Sequence, residues 1–272
     1  MNLYPATATV RHLLTSRSTA GYGVHSPFVY DFLTTVVRGK TEPHILEEVE
    51  SLRREMLDSS KTVRVTDLGR GSVVSRGVER KISAIASAAS LPRGQAALLA
   101  RVAHGAIILP DDRSRPDGRK IILELGTSLG ISTLALALAL PDHEIVTVEG
   151  CPSLAAIARE NLQRHGAGNV KVVNAEFSAA LSQLRQENAR VSFAFIDGNH
   201  RGNALIQYLC DIEKMGEEMI IVADDIHLSR DMYRAWRSHL TEVKSSAAME
   251  TFRFGIIFRL KSITPGSYRI RC

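Results

Sequence analysis

The sequence predicts an α/β protein with a doubly wound, mainly parallel sheet, and three observations carry that reading. From residue 120 onward short apolar strands alternate with helical stretches; the first of these strands runs into a glycine-containing turn; and three of the strands end in acidic residues. Strands are expected at 121–125, 144–149, 170–174, 192–196 and 219–223, with intervening helices centred on 135, 158, 182, 208 and 235. In such a fold ligands bind beyond the carboxyl ends of the strands.

The residues ahead of this alternation read differently. Apolar residues at helical spacing predict helices over 12–17, 27–37 and 43–57, separated by Gly21-Tyr-Gly23 and Gly39-Lys-Thr41. Residues 63–72 form a strand-like run ending in Asp67-Leu-Gly69-Arg-Gly71, which imitates a cofactor loop. The stretch 78–90 beyond it reads as a helix with no second strand and no terminal acid, so Gly69 and Gly71 are assigned to a turn. A further helix is expected over 93–103, and 110–118 is polar and turn-rich, as an exposed loop is.

The stretch Glu124-Leu-Gly126-Thr127-Ser128-Leu-Gly130 joins the strand Ile121-Ile-Leu-Glu-Leu125 to a helix over 131–140 that Pro141-Asp142 stops. Glycines allow a tight turn and close backbone approach, and a helix start offers unpaired N–H groups and a positive dipole end. The next strand ends in Glu149, 19 residues after Gly130, the distance at which an acid meets ribose hydroxyls in nucleotide-binding folds. The spacing G-x-x-x-G departs from the dinucleotide pattern G-x-G-x-x-G, so an NAD-type Rossmann oxidoreductase is the weaker alternative.

Asp197 follows the fourth strand, and Asp224-Asp225 follow the fifth. Three carboxylates at one rim repel unless protonated, solvated or bound to a cation, and Mg²⁺ prefers carboxylate and water oxygens. The alternative is that Asp197 contacts substrate or cofactor and the Asp pair caps the turn into a helix over 229–240. His200 and His227 lie just beyond these acids, and either could accept a proton, an imidazole titrating near about pH 6.5. Histidines at a helix start also serve as caps or surface residues.

With these residues in place, the chain resembles the class I S-adenosylmethionine-dependent methyltransferases. It is most similar to the small-molecule O-methyltransferase branch, of catechol and caffeoyl-CoA type, whose first motif often reads E-x-G-T/V-x-x-G-x-S. Here that motif is Glu124-Leu-Gly126-Thr127-Ser128-Leu-Gly130-Ile-Ser132. The resemblance continues through Glu149, Phe195-Ile-Asp197-Gly-Asn-His200 and Ile221-Val-Ala-Asp224-Asp225, and spans roughly residues 90–260. It implies a seven-stranded Rossmann-like methyltransferase sheet, with apolar runs near 247–251 and 254–260 pairing as an edge hairpin.

The resemblance also implies roles. Glu124, Gly126, Thr127, Ser128 and Gly130 would cradle the amino-acid part of S-adenosyl-L-methionine, Glu149 with Gly150 the ribose, and Ala175, Glu176 and Phe177 the adenine; Asp197 would also meet the cofactor. Asp197, Asp224 and Asp225 would hold Mg²⁺ or another divalent cation, and Asp197, His200 and His227 would be catalytic. Residues 91–272 are expected to be the methyltransferase domain and 1–90 an N-terminal helical extension, a substrate cover or a packing segment that includes Tyr22-Gly-Val-His25-Ser-Pro-Phe28-Val-Tyr30. Where relatives carry an aromatic and an acid after D-G-N-H, this chain has Gly202-Asn203.

Composition narrows the remaining classes. The 272 residues are 44% hydrophobic and 23% charged, which is ordinary for a soluble globular protein. No apolar run reaches the roughly 18 residues that span a bilayer, and the first residues do not read as a signal peptide. No membrane partner is expected. Cys151, Cys210 and Cys272, widely spaced and odd in number, fit a reducing cytoplasm rather than a disulfide framework. A net charge of +5 leaves a nucleic-acid methyltransferase as an alternative, but the basic residues are dispersed and aromatics are only 6%. The expected partner is a small-molecule hydroxyl acceptor; a homodimer is compatible with the reading, and so is a non-catalytic cofactor-binding protein.

Overall fold

The computed structural model describes residues 12, 14–18, 23–66, 78–107, 119–242, 246–261 and 263–271. The Asp67–Gly71 turn, the 110–118 loop and Cys272 lie outside them. Among the described residues, helical residues 12 and 14–15 precede strand β1 (Arg17–Ser18) and helix α1 (Pro27–Asp31), which continues as π-helical turns over Phe32–Val37. Helix α2 (Pro43–Leu57), strands β2 (Thr62–Val65) and β3 (Val78–Lys81), and helices α3 (Ile82–Ala89) and α4 (Arg93–Ile107) come next.

The alternating part comprises β4 (Lys120–Leu125), α5 (Ile131–Ala139), β5 (Ile145–Glu149), α6 (Pro152–Arg164), β6 (Val170–Asn174) and α7 (Phe177–Gln186). It continues with β7 (Arg190–Ile196), α8 (Gly202–Glu213), β8 (Met219–Ala223) and α9 (Arg230–Glu242). Strands β9 (Ala247–Glu250), β10 (Gly255–Arg259) and β11 (Gly266–Arg271) complete it.

Two compact units share the chain. One holds residues 40–104 and 119–189, the other 1–39, 105–118 and 190–272. In the first, β4, β5 and β6 pair in parallel, with Ile122 opposite Ile145 and Ile145 opposite Val170. Parallel strands need crossover connections, here α5 and α6. Strand β4 is buried from Ile121 to Leu125, as a strand covered on both faces should be. Helix α2 packs on α5, and its buried residues Ile45, Val49, Leu52 and Met56 form an i, i+4, i+7, i+11 stripe. Prolines open α2 and α6 at their first turns, where a missing N–H costs nothing.

In the same unit Val78–Lys81 corrects the expected helix over 78–90: it is a strand, antiparallel to β2, with Thr62 opposite Lys81. Its charged Glu79, Arg80 and Lys81 are all exposed, so no apolar alternation marked it. The hairpin is tied to the neighbouring strand end, where the Thr66 N–H donates to Cys151 Sγ at 3.4 Å.

In the second unit β7 and β8 are parallel, β10 is antiparallel to β8, and β9 is antiparallel to β10. The expected hairpin exists, but it is not the edge. Strand β11 pairs in parallel with β9, and β1 with β11, Arg17 lying opposite Ile270. The 12–17 helix accordingly gives way to a strand at Arg17. Beyond the seven sheet strands expected, β11, β1 and β3 are additions, while β2 falls on the start of the strand-like run at 63–72.

Helix α1 and the turns after it pack on β10. Ser26 caps the helix, its Oγ accepting from the Val29 N–H at 3.4 Å, and Phe28 and Phe32 set their rings on Phe258 of β10 with centroids 5.4 and 4.8 Å away. Elsewhere in this unit, Trp236 on α9 is fully buried and donates its indole N–H to Glu250 Oε1 at 3.1 Å. Gly255 makes room for that ring, since a Cβ there would lie 2.7 Å from Trp236 Cη2 and Cζ2. A fully buried indole has nowhere to move, so Gly255→Ala should overpack the core. The expected loss is about 1–3 kcal/mol in urea unfolding, with the slope unchanged.

Candidate active site

Both loops of interest arise where strands stop and polar residues begin. At the end of β4, Gly126 (φ 108°), Ser128 (φ 49°) and Gly130 (φ 86°) adopt left-handed backbone, which turns the chain tightly into α5. Glycine takes that region freely; Ser128 takes it only because its surroundings hold it there.

Two carboxylates hold it. Glu149, at the end of β5, accepts from the Ser128 N–H through Oε2 and from the Cys151 N–H through Oε1, both at 2.8 Å. Glu124 is fully buried in β4, and its Oε2 accepts hydroxyl protons from Thr133 at 2.5 Å and Thr147 at 2.6 Å. Because Thr147 spends its proton on Glu124, the 2.6 Å contact between Thr147 and Thr127 must be donated by Thr127. A directed chain thus runs from Thr127 through Thr147 to Glu124, and the Thr127 carbonyl accepts from the Gly130 N–H at 2.8 Å.

Burial raises the pKa of both acids. For Glu124 the hydroxyls of Thr133, Thr147 and Ser132 oppose that rise without cancelling it; for Glu149 the N–H groups of Cys151, Ser128 and Gly150 do so. Of the roughly four lone-pair directions on Glu149, three are used by these N–H donors, so one remains. Ala175 joins this group through its N–H, which donates to the Glu149 carbonyl at 3.2 Å. Glu176 caps α7, Oε2 accepting from the Ala179 N–H at 3.0 Å, and Phe177 opens that helix.

The second loop pair lies in the other unit. Asp197 follows β7 and Asp224-Asp225 follow β8, and the parallel pairing of Ile196 with Ala223 brings the strand ends together. The Asp224 carboxylate, with no exposed surface, is held by a guanidinium: Arg253 Nε donates to Oδ1 at 2.6 Å and Nη2 to Oδ2 at 2.5 Å. Asp224 Oδ1 also accepts the Asp225 N–H at 2.8 Å, and Asp225 Oδ1 lies 3.7 Å from Arg253 Nε.

Asp197 is pushed well up by burial and by the charge of Asp224, with Arg253 pulling it down. Burial and Asp224 likewise raise Asp225. Burial works against the Arg253 charge, but the Asp224 hydrogen bonds and the surrounding carboxylates outweigh it and raise its pKa. His200 Nε2 stands 3.8 Å from Asp197 Oδ1.

The sequence-predicted residues therefore fall into two groups. Glu124, Gly126, Thr127, Ser128, Gly130, Glu149, Gly150 and Ala175 cluster in one unit, and Asp197, His200, Asp224 and Asp225 in the other. His227 lies among aromatic rings. It stacks on Tyr233 with centroids 4.7 Å apart and on Phe252 at 5.9 Å, with His12 edge-on at 5.7 Å. Among the described residues no three His, Cys, Asp or Glu side chains are disposed to hold a metal ion.

Sequence reasoning missed Thr133, Thr147 and Arg253. The usable signal for Arg253 was a lone cation in the short Thr251–Phe254 link between two apolar runs, one strand away from an Asp pair.

Glu124 yields a test by linkage. Its folded pKa exceeds the unfolded one, so its stabilising contribution is full below the unfolded glutamate value and is lost as pH rises through the folded value. Stability of the native chain should fall across that interval. Glu124→Gln should flatten the fall relative to the parent, as read by urea unfolding at a series of pH values.

Known proteins resemble the chain in the same regions. Residues 123–226 match the family model described as a methyltransferase domain. A catechol O-methyltransferase of Niastella koreensis is 34% identical over 111 residues, 39% of this chain and 49% of that protein. The catechol O-methyltransferase of Mycobacterium tuberculosis is 37% identical over 108 residues, 39% of this chain and 47% of that protein. The chain thus spans about half the length of the curated relatives it matches. The O-methyltransferase from Bacillus cereus, solved in complex with SAH, aligns over 93% of this chain and 97% of its own with a TM-score of 0.54 at 20% identity. The chain has the doubly wound fold of the O-methyltransferases and, over residues 123–226, the sequence of a methyltransferase domain.

Proposed function

We propose that the chain transfers the methyl group of S-adenosyl-L-methionine to an oxygen of a small molecule. One observation carries the reading: the 126–130 loop is fixed in left-handed backbone by the buried Glu124 and the half-buried Glu149, a rigidity that makes sense if the loop meets a ligand. In this reading Glu124, Gly126, Thr127, Ser128 and Gly130 form the seat of the amino-acid part. Glu149 with Gly150 takes the ribose through the lone pair left over, and Ala175, Glu176 and Phe177 flank the adenine.

The cofactor supplies an activated methyl group, so the protein's task is to align the acceptor and remove its proton. As the acceptor oxygen bonds to carbon, the carbon–sulfur pair returns to sulfur and the hydroxyl proton passes to a base. Asp197 is the base proposed, since a carboxylate with a raised pKa is a stronger proton acceptor than an ordinary one. His200, whose Nε2 is 3.8 Å from Asp197 Oδ1, would receive or steady the charge. His227 serves to hold the ring stack of Tyr233 and Phe252.

A divalent ion does not fit Asp224 as it stands. Both of its oxygens are taken by the Arg253 fork. Residues 91–272 are proposed as the catalytic part and 1–90 as an extension that packs against it in places and works in the cytoplasm with the rest. The relatives named as catechol O-methyltransferases suggest a phenolic acceptor.

Two measurements test this. Calorimetry should show S-adenosyl-L-methionine binding that Glu149→Ala weakens by roughly ten- to a hundredfold, the size of a lost charge-assisted hydrogen bond. Binding of NAD without S-adenosyl-L-methionine would overturn the reading. Asp197→Asn should lower kcat for labelled-methyl transfer by about 10²–10⁴-fold while the cofactor dissociation constant holds.

A further inference from the structure

We infer that Arg253 is the resident cation of the acid cluster at the ends of β7 and β8, standing where a divalent ion would otherwise be required. This rests on the methyl-transfer reading only for its purpose, not for its geometry.

Electrostatics sets the problem. Asp197, Asp224 and Asp225 lie close enough that the charge of Asp224 raises the other two, and Asp224 has no exposed surface. A buried carboxylate in such company must be protonated, paired or metal-bound. Arg253 pairs it, and does so with the planar two-point geometry that suits a guanidinium and a carboxylate. That geometry uses both Asp224 oxygens, and Oδ1 carries the Asp225 N–H as well. A Mg²⁺ ion coordinating Asp224 would have to displace the fork and leave two cations in contact.

The position of Arg253 is itself built. Thr251 and Phe254 close a tight link between β9 and β10, the Phe254 N–H donating to Thr251 Oγ1 at 2.8 Å, and the Thr251 N–H to the Phe254 carbonyl at 2.8 Å. The Arg253 carbonyl accepts the Ile226 N–H at 3.3 Å, one residue beyond the Asp pair. Backbone and side chain therefore bind Arg253 to the same turn from two directions, a degree of fixation that an incidental surface ion pair lacks.

The side chain is not consumed by this role. A guanidinium has five N–H donors, and Asp224 takes two of them. About a quarter of the Arg253 side chain is exposed, 24%. The group can neutralise its acids and still present positive charge and donors at its open side. It cannot lose its proton at any working pH, so the charge is permanent, whereas a bound metal would come and go with its concentration.

Mn²⁺ is the probe, followed by electron paramagnetic resonance of the free ion, because that readout needs no acceptor. The parent protein should leave the free-ion signal undiminished, and its thermal midpoint should not move with MgCl₂. Arg253→Ala should uncover the carboxylates, take up Mn²⁺, and acquire a midpoint that rises with MgCl₂. Asp224→Asn in that background should abolish the uptake. Uptake of Mn²⁺ by the parent that Asp225→Asn removes would overturn the inference. A folded Arg253→Ala that takes up none would do so too. Should the alanine variant fail to fold, Arg253→Lys, which keeps charge without the fork, and the parent measurement decide the matter. Calorimetry with S-adenosyl-L-methionine on the parent separates the two claims: absence of cofactor binding sinks the methyltransferase reading and leaves the Mn²⁺ result standing.

Discussion

The buried carboxylate of Glu124 is the constraint around which the 126–130 loop is organised. An acid inside a strand with apolar neighbours on both sides is costly, and the chain meets that cost with three hydroxyls rather than a cation. The hydroxyls come from α5 and β5, so the acid ties the strand that precedes the loop to the helix that succeeds it and to the strand beside it. Thr127, inside the loop, is at the far end of that chain. Loop conformation, helix start and sheet register are therefore one hydrogen-bonded object, and Glu149 locks it a second time from the next strand end.

The other unit solves the same problem with the opposite chemistry. Glu250 is also fully buried, but burial is outweighed by Arg269 and Arg237, so its pKa is lowered and it stays charged. It collects Trp236, Arg237 and Arg269 and so fastens α9 to β9 and β11. Asp224 follows the same pattern with Arg253. In one unit, then, Glu124 and Glu149 are kept by hydroxyls and N–H groups; in the other, Glu250 and Asp224 are kept by guanidinium groups. Arg269 also reaches the Tyr233 hydroxyl at 2.7 Å, so the ring stack around His227 belongs to the same charged scaffold.

Features with a period or a fixed spacing were the ones legible in the sequence. Strands 170–174 and 219–223 stand where expected to the residue, because a short apolar run between turn residues has few registers to choose from. The carboxylates at 149, 197, 224 and 225 were legible for the same reason, since they end such runs. Their partners were not. Thr133 and Thr147 sit in apolar elements where threonine usually means only β-branched packing, and Arg253 is one arginine among many. Strand β3 was hidden by charge and β1 by brevity. Strand β11 could have been found, because Tyr268 and Ile270 alternate with exposed or half-exposed neighbours in period two.

Strands β1 and β11 are neighbours in the sheet although about 250 residues separate them along the chain, Arg17 from Ile270. Joining them closes a very large loop, and the entropy of that closure has to be met before any contact between them is rewarded. The unit built from 40–104 and 119–189 carries no such debt in its strand pairing, since β4, β5 and β6 follow one another directly. In a refolding experiment the two regions should thus differ in tempo, with amide protection arriving early along β4 to β6 and last at the β1–β11 seam, which makes that seam the natural place for chaperones or proteases to catch the chain unfinished.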